Sequence, residues 1–229
     1  MFWIDYWYIV LVLPAVLLGL IAQIKVKSTF EKYSSEYNRR GRTADQVARM
    51  ILDRNGLTHV RVEQIAGSLT DHFDPRENVV RLSQSVYGSS SVAAIGVAAH
   101  EVGHAIQYAK AYAPMKLRNA IIPVTNIGAT ISPLLILLGL FMALDPLIYV
   151  GIALYSTVAL FQLITLPVEF NASRRALATL DSEAILDAEE ISGARKVLGA
   201  AAMTYVTALV TSLMQILRLI LIFGGRRRD

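Results

Sequence analysis

The sequence predicts a mainly α-helical membrane protein with several spanning helices and one small α+β domain. Apolar residues make up 54% of the chain and charged residues only 17%, a balance that departs from that of soluble domains. Apolar stretches long enough to cross the hydrocarbon layer recur along the chain. One intervening segment changes to the alternating pattern that is typical of β-strands. The 229 residues therefore suffice for a small domain joined to membrane helices.

The first apolar stretch, residues 6–24, predicts a transmembrane anchor over residues 1–24. It is not expected to be a cleaved signal peptide, because Asp5 precedes it without any Lys or Arg. Basic residues follow it directly: Lys25, Lys27, Lys32, Arg39, Arg40 and Arg42. Because Lys and Arg are enriched on the cytoplasmic side of spanning helices, we expect the N-terminus outside and the next domain in the cytoplasm.

Residues 25–118 predict the small domain. Residues 28–55 have an amphipathic helical pattern, and Thr43 with Gln46 resembles a capping box. Beyond this helix the apolar period changes from that of a helix to two residues. A hairpin is expected across residues 70–82, with its turn at the Asp-Pro-Arg-Glu sequence. The pattern predicts a sheet of about three strands directly before the next helix.

A histidine motif lies in that next helix, residues 91–109. His100 and His104 are four residues apart and therefore share one face of the helix. Glu101 is rotated from them by about 100° and can reach a metal-bound water without binding the metal. This H-E-x-x-H pattern is typical of zinc hydrolases, although a solvated helix can carry it by chance. The flanking Ala, Val, Ile and Gly residues favour a buried helix, where a metal ion would satisfy side chains that are costly to bury unpaired.

Two further histidines fall in the sheet region. His59 and His72 are expected to be ordinary surface or strand residues, because neither has a partner at the spacing of metal ligands. The chain contains no cysteine, so thiolate zinc sites and disulfides are excluded.

Three segments complete the predicted domain organisation. Residues 119–168 predict a transmembrane hairpin with apolar spans at 121–144 and 147–166. A polar helical segment, 169–197, precedes the last apolar helix and basic tail, 198–229. Four complete crossings would place this basic tail outside, against the positive-inside tendency. Whether the last segment crosses fully is therefore left open.

A catalytic zinc site usually takes three protein ligands, so a third is expected from Asp or Glu. The predicted hairpin crosses the membrane twice and returns the chain to the side of His104. Glu169 comes next, and we expect it in the first turn of a helix that begins after Pro167. A favourable interaction with the helix dipole explains such a residue equally well. Asp181 and Glu183 are the competing carboxylates.

Taken together, these residues resemble the YugP-type family of bacterial membrane zinc metallopeptidases. The resemblance rests on residues 74–83, 91–107, 167–176 and 200–205, and the order of apolar segments extends it over nearly the whole chain. It implies a zincin-like metalloprotease domain with a gluzincin-type site. Zinc would be bound by His100, His104 and Glu169, with Glu101 as the general base.

The resemblance implies further roles. A strand before the metal helix would pair with the backbone of an extended substrate; its residues are Asn78, Val79, Val80 and Arg81. A purely structural strand is an equally good interpretation. Tyr205 is a candidate for stabilising the oxyanion, against the simpler interpretation of an interfacial tyrosine. Asn171 departs from the family pattern, in which an acid is expected two residues after the ligand Glu and would orient a ligand histidine.

The expected function is that of a zinc metalloendopeptidase of the cell membrane, with its active site at the cytoplasmic surface and a peptide or membrane protein as substrate. One alternative is a zinc-binding scaffold with little or no catalysis. Another is an intramembrane site-2-type protease, which would need an Asp ligand that spans 147–166 and 198–223 lack. The net charge of +4 lies beside apolar segments, which favours the lipid bilayer rather than nucleic acid as the partner.

Overall fold

Helices dominate the computed structural model, which describes residues 5–224. The helices are α1 (Leu13–Ser34), α2 (Ala44–Arg54), α3 (Val92–Ala109), α4 (Ala113–Phe141), α5 (Asp145–Ser182) and α6 (Ala188–Phe223). A π-helical segment, Tyr8–Val12, leads into α1. The strands are β1 (Arg61–Ile65), β2 (His72–Asp74) and β3 (Val79–Ser83). The predicted fold class is confirmed, and the basic tail at 225–229 lies outside the described residues.

Four helices are long and apolar enough to cross a membrane: residues 8–34, α4, α5 and α6. Large apolar side chains on them are exposed, with Phe141 at 86% and Ile24 at 68%, as expected for surfaces that face lipid. α3, which carries the histidine motif, is not one of the four.

The described chain divides into two compact units. The membrane unit contains residues 5–22, 117–166 and 203–224, and the site unit contains residues 23–116 and 167–202. Four helices, α1, α4, α5 and α6, contribute residues to both units.

Within the membrane unit, the first and last spans run antiparallel. Asp5 Oδ2 accepts a hydrogen bond from Arg218 Nε at 2.9 Å, which joins the start of the first span to the end of the last. Gly19 lies further along the first span and faces Thr207, which lies earlier in α6. The two contacts show that α6 runs beside the first span between residues 5 and 19. Both helices are long and apolar enough to cross a membrane.

The sheet of the site unit has the order β1-β3-β2. β1 pairs with β3 in parallel, and β2 pairs with β3 in the predicted antiparallel hairpin. α2 and α3 pack on the sheet and form a core with fully buried aliphatic side chains; these include Val47, Ile51, Val80, Leu82 and Ile95. α3 is thus held in place along most of its length by apolar packing.

Two predicted boundaries are wrong. The helix expected over 28–55 is interrupted, because Asn38 donates its side-chain amide to the carbonyls of Arg42 and Ser90 and thereby holds a loop between α1 and α2. The predicted capping contact at the start of α2 is present, with Thr43 N donating to Gln46 Oε1 at 3.2 Å.

The second wrong boundary is at Pro167, which lies inside α5 rather than before a new helix. A proline within a helix costs about 3 kcal/mol, so other interactions must hold this helix together. α5 provides them in a buried stripe at four-residue spacing: Val168, Ala172, Ala176 and Leu180. Glu169 therefore lies in mid-helix, where an interaction with a helix N-terminus no longer explains it.

Candidate metal centre

α3 begins at a well-defined cap and is buried along most of its length. Ser91 is the N-cap residue, and its Oγ accepts a hydrogen bond from Ala94 N at 3.2 Å. Small residues such as Ala98 and Ala99 then allow neighbouring elements to approach closely, and both are buried. The buried helix that the sequence predicts is therefore confirmed.

Gly103 brings α3 and α5 into backbone contact. A Cβ atom on Gly103 would lie 2.9 Å from the carbonyl oxygen of Ala172, so no larger residue fits without a shift of one helix. The glycine stands between the two histidines of the motif, and Ala172 is three residues beyond Glu169. This contact therefore sets the separation of the two helices at the level of the candidate ligands.

The two histidines and Glu169 meet at this contact. Glu169 Oε2 lies 3.3 Å from His100 Nε2 and 3.6 Å from His104 Nε2. One potential ligand atom from each residue lies within 4.8 Å of the other two. The three side chains are largely buried, with exposed fractions of 14%, 10% and 5% respectively for His100, His104 and Glu169. Glu101, the expected base, follows His100 on α3 and is itself buried.

The other candidates lie elsewhere in the described part of the chain. Glu183 forms an ion pair with Arg54. Asp181 is exposed. His72 Nδ1 contacts the carbonyl oxygen of Thr70 at 2.9 Å, and neither His72 nor His59 belongs to the cluster. Among residues 5–224, the one group of three or more His, Cys, Asp or Glu side chains arranged for metal binding is His100, His104 and Glu169.

The electrostatics of the cluster favour a bound cation. Burial alone would lower the pKa of His104, but the neighbouring carboxylates of Glu169 and Glu101 outweigh this effect and raise it. The environment of His104 thus stabilises positive charge. Two imidazole nitrogens and one carboxylate oxygen are also the donor set that zinc takes in catalytic sites. The residues present therefore fit a zinc ion.

Two residues that were not predicted from the sequence contact the outer nitrogen, Nδ1, of each histidine; Nε2 is the nitrogen nearer to Glu169. Gln107 Oε1 lies 3.0 Å from His104 Nδ1, and Ser173 Oγ lies 3.1 Å from His100 Nδ1. Helical spacing could have indicated both, because Gln107 is three residues after His104 and Ser173 is four residues after Glu169.

Asn171, the residue that departs from the family pattern, contacts neither histidine directly. Its Oδ1 accepts hydrogen bonds from Gln107 Nε2 at 3.0 Å and from Arg175 Nε at 2.7 Å. The expectation that this position orients a ligand histidine is therefore corrected: the contact to His104 is made by Gln107, with Asn171 behind it.

The structure also bears on the predicted substrate strand. β3 is the central strand, and Val79, Val80 and Arg81 are paired on both sides, with β1 and with β2. Asn78 precedes the strand and has a positive φ of 51°. β3 therefore has no unpaired backbone edge to which a substrate strand could be added. Among the described strands, β1 and β2 are at the edges of the sheet.

Tyr205 lies on α6 in the membrane unit and is 38% exposed. The three candidate ligands belong to the site unit. The suggested role of Tyr205 in stabilising the oxyanion remains a prediction.

The described residues thus combine a buried His-His-Glu cluster that could hold a metal ion with four helices that could cross a membrane. The chain matches the family described as "Putative neutral zinc metallopeptidase" over residues 8–224, and it belongs to this family. It is 50% identical over 222 residues to "Putative membrane protease YugP" of Bacillus subtilis (strain 168), an alignment that covers 97% of this chain and 99% of that protein. The resemblance predicted from the sequence is thus confirmed. No solved structure matches the chain.

Proposed function

We propose that this protein is a zinc-dependent endopeptidase of the cell membrane, with zinc bound by His100, His104 and Glu169. The observation that carries the proposal is the convergence of three potential ligand atoms within 4.8 Å, directly beside Glu101. Family membership supports the same assignment. When bound, zinc would polarise the scissile carbonyl and acidify a water molecule to a pKa of about 7.

Glu101 is the proposed general base. It follows His100 directly on α3, so it stands beside the ligands without being one of the three. In the proposed reaction its carboxylate takes a proton from the attacking water and then passes this proton to the nitrogen of the departing amine. Proton transfer by a positioned side chain contributes typically about 10²–10⁴-fold to the rate.

We propose that an extended substrate pairs with the outer edge of β2 rather than with β3. β2 has one neighbour among the described strands and therefore one open edge. It also packs near the motif helix, since the rings of Phe73 on β2 and Tyr108 on α3 lie 5.9 Å apart. Main-chain pairing of this kind recognises unfolded or extended segments with little side-chain selectivity.

We propose that the site faces the cytoplasm. The cluster of basic residues directly after the first span supports this orientation. Because the chain has no cysteine, single cysteines introduced at Tyr37 and at Met142 can be labelled without background. An impermeant maleimide should label the cysteine at 142 in intact cells and the cysteine at 37 only after permeabilisation. The reverse pattern would place the site outside.

The proposed activity is tested by Glu101→Gln, which preserves the shape of the side chain but removes the base. Hydrolysis of an unstructured peptide should fall by about 10²–10⁴-fold, while the zinc content of the purified protein stays unchanged. Glu31→Gln is a matched control, because Glu31 is exposed on α1 and does not belong to the cluster.

Two outcomes of this experiment would count against the proposal. Full activity of Glu101→Gln would rule out its role as the base. If the wild type binds zinc and hydrolyses nothing, and Glu101→Gln complements a deletion strain as well as the wild type, the zinc-binding scaffold is the correct alternative.

A further inference from the structure

We propose that Gln107 is a positioning residue that fixes His104 in the tautomer needed for metal binding. The inference rests on the proposed metal site, and it concerns how this chain prepares one of the ligands. Gln107 is fully buried on α3, one turn beyond the motif. A buried amide that contacts a candidate ligand has few ways to satisfy its hydrogen bonds, and each of them constrains its partners.

The orientation of the Gln107 amide is fixed by two acceptors. Gln107 Nε2 lies 2.8 Å from the carbonyl oxygen of Val168 and 3.0 Å from Asn171 Oδ1. A backbone carbonyl only accepts hydrogen bonds, so the NH₂ end of Gln107 must face Val168. The reverse orientation would place two oxygens against each other in a buried site, which is unfavourable because neither would have a donor.

The assignment of Asn171 is equally constrained. Arg175 Nε only donates, and it lies 2.7 Å from Asn171 Oδ1. The oxygen of Asn171 therefore faces Arg175 and also accepts from Gln107. Asn171 Oδ1 thus accepts from both Arg175 and Gln107, which agrees with the NH₂ end of Gln107 facing Val168 and Asn171. Replacement of the acid expected at position 171 by Asn keeps this acceptor and leaves out its negative charge.

The consequence for His104 follows directly. Gln107 Oε1 is an acceptor and lies 3.0 Å from His104 Nδ1, so this nitrogen must carry the hydrogen. In the neutral imidazole the lone pair is then on Nε2, the atom that lies 3.6 Å from Glu169 Oε2. Nδ1 is therefore committed to its hydrogen, which leaves Nε2 as the nitrogen through which His104 can bind a metal, and the partner of Nδ1 is a neutral amide rather than a carboxylate.

His100 has no such constraint from its own outer partner. The hydroxyl of Ser173, 3.1 Å from His100 Nδ1, can donate or accept and rotates to suit either tautomer. The two ligand histidines are therefore prepared unequally, and the effect of removing the outer partner should be larger at His104.

The experiment measures zinc affinity by competition with a chromophoric chelator in wild type, Gln107→Leu and Gln107→Glu. Gln107→Leu removes the acceptor and should weaken zinc binding by about 10–100-fold, the range typical of outer partners of ligand histidines. Gln107→Glu keeps an acceptor for Nδ1–H and should bind zinc more tightly than Gln107→Leu, although its second oxygen faces the oxygens of Val168 and Asn171. Gln64→Leu, on the exposed part of β1, is the matched control and should leave the affinity unchanged.

A merely structural role for Gln107 predicts the opposite order. A buried carboxylate at 107 would face the oxygens of Val168 and Asn171, so Gln107→Glu would then be more damaging than Gln107→Leu. A second measurement uses the wild type alone: ¹⁵N NMR of the His104 ring in the metal-free protein at alkaline pH. The inference expects hydrogen on Nδ1, and hydrogen on Nε2 would overturn it even if a variant failed to fold.

The result also separates this inference from the proposed function. A wild-type protein that binds no zinc would contradict the metal site itself. A wild-type protein that binds zinc tightly, with Gln107→Leu binding equally well, would overturn the role of Gln107 and leave the proposed function intact.

Discussion

Two groups of ionisable side chains, one in each unit, differ in how their charges are balanced. In the membrane unit, Asp5 and Arg218 form an anion–cation pair with Arg218 Nε 2.9 Å from Asp5 Oδ2. In the site unit, His100, His104 and Glu169 converge, and among these three groups the only permanent charge is negative. The first group neutralises itself through its own residues. The second places two imidazoles, which can take up a proton or bind a metal ion, beside the carboxylate of Glu169.

This difference separates structure from function. A buried ion pair that satisfies itself serves the fold, since removal of either partner leaves a charge in an apolar setting. A buried cluster whose potential metal-ligand atoms face one another is costly to fold, and a bound cation offsets that cost. We therefore expect zinc to stabilise the site unit and to have no effect on the Asp5–Arg218 pair.

The largest expected effect comes from Glu169→Gln, which removes the charged ligand. Zinc affinity should fall by more than about 100-fold, beyond the range typical of outer partners of a metal site. Asp5→Asn makes the same kind of change in the group of the membrane unit and should leave zinc affinity unchanged. Both are measured by chelator competition. Equal zinc affinity in Glu169→Gln and wild type would show that Glu169 is not a ligand.

Arg218→Gln should break the pair in the membrane unit. Loss of one partner of a fully buried ion pair costs roughly 3–5 kcal/mol. A cost of about 2 kcal/mol is expected here, because the Asp5 side chain is 28% exposed and water can reach it. The measurement is thermal unfolding in detergent, with zinc affinity as the second readout. An unchanged unfolding temperature would mean that the pair contributes little to the fold.

A smaller effect is expected from Gly103→Ala. The added methyl group meets the carbonyl of Ala172 at 2.9 Å and must push α3 and α5 apart. Overpacking of this kind costs about 1–3 kcal/mol, and the shift should also weaken zinc binding because the ligands are divided between these two helices. Unfolding is compared with and without excess zinc.

Gly199→Ala is the control for this change. Gly199 lies in α6 within the site unit, and a Cβ there would meet no atom within 4 Å. Alanine should be neutral or stabilising at this position, by up to about 1 kcal/mol, because it favours the helix. If Gly103→Ala behaved like Gly199→Ala, close packing of α3 on α5 would not be what positions the ligands.

Local patterns in the sequence predicted much of the fold. Apolar stretches predicted the spans, and the four-residue spacing of His100 and His104 predicted a shared helix face, because both signals depend on neighbouring residues. Glu169 was indicated by counting membrane crossings, although its expected place at the start of a helix was wrong. The continuity of α5 through Pro167 depends on buried packing that no local propensity contains.

Other features depend on contacts between distant residues. The central position of β3 follows from a parallel pairing with β1, and the sequence had indicated only the hairpin with β2. The link from Gln107 to Asn171 joins α3 to α5, which are separated by the whole of α4. Neither residue carries a signal of its own, because buried amides also occur where they serve packing alone.

The central claim is that His100, His104 and Glu169 bind one zinc ion. X-ray absorption at the zinc K-edge of the purified, zinc-loaded protein tests it most directly. The account predicts about one zinc per chain with two imidazole ligands at about 2.0–2.1 Å and oxygen ligands completing the shell. A spectrum with no imidazole scattering would contradict it, as would one that stays unchanged in His104→Gln.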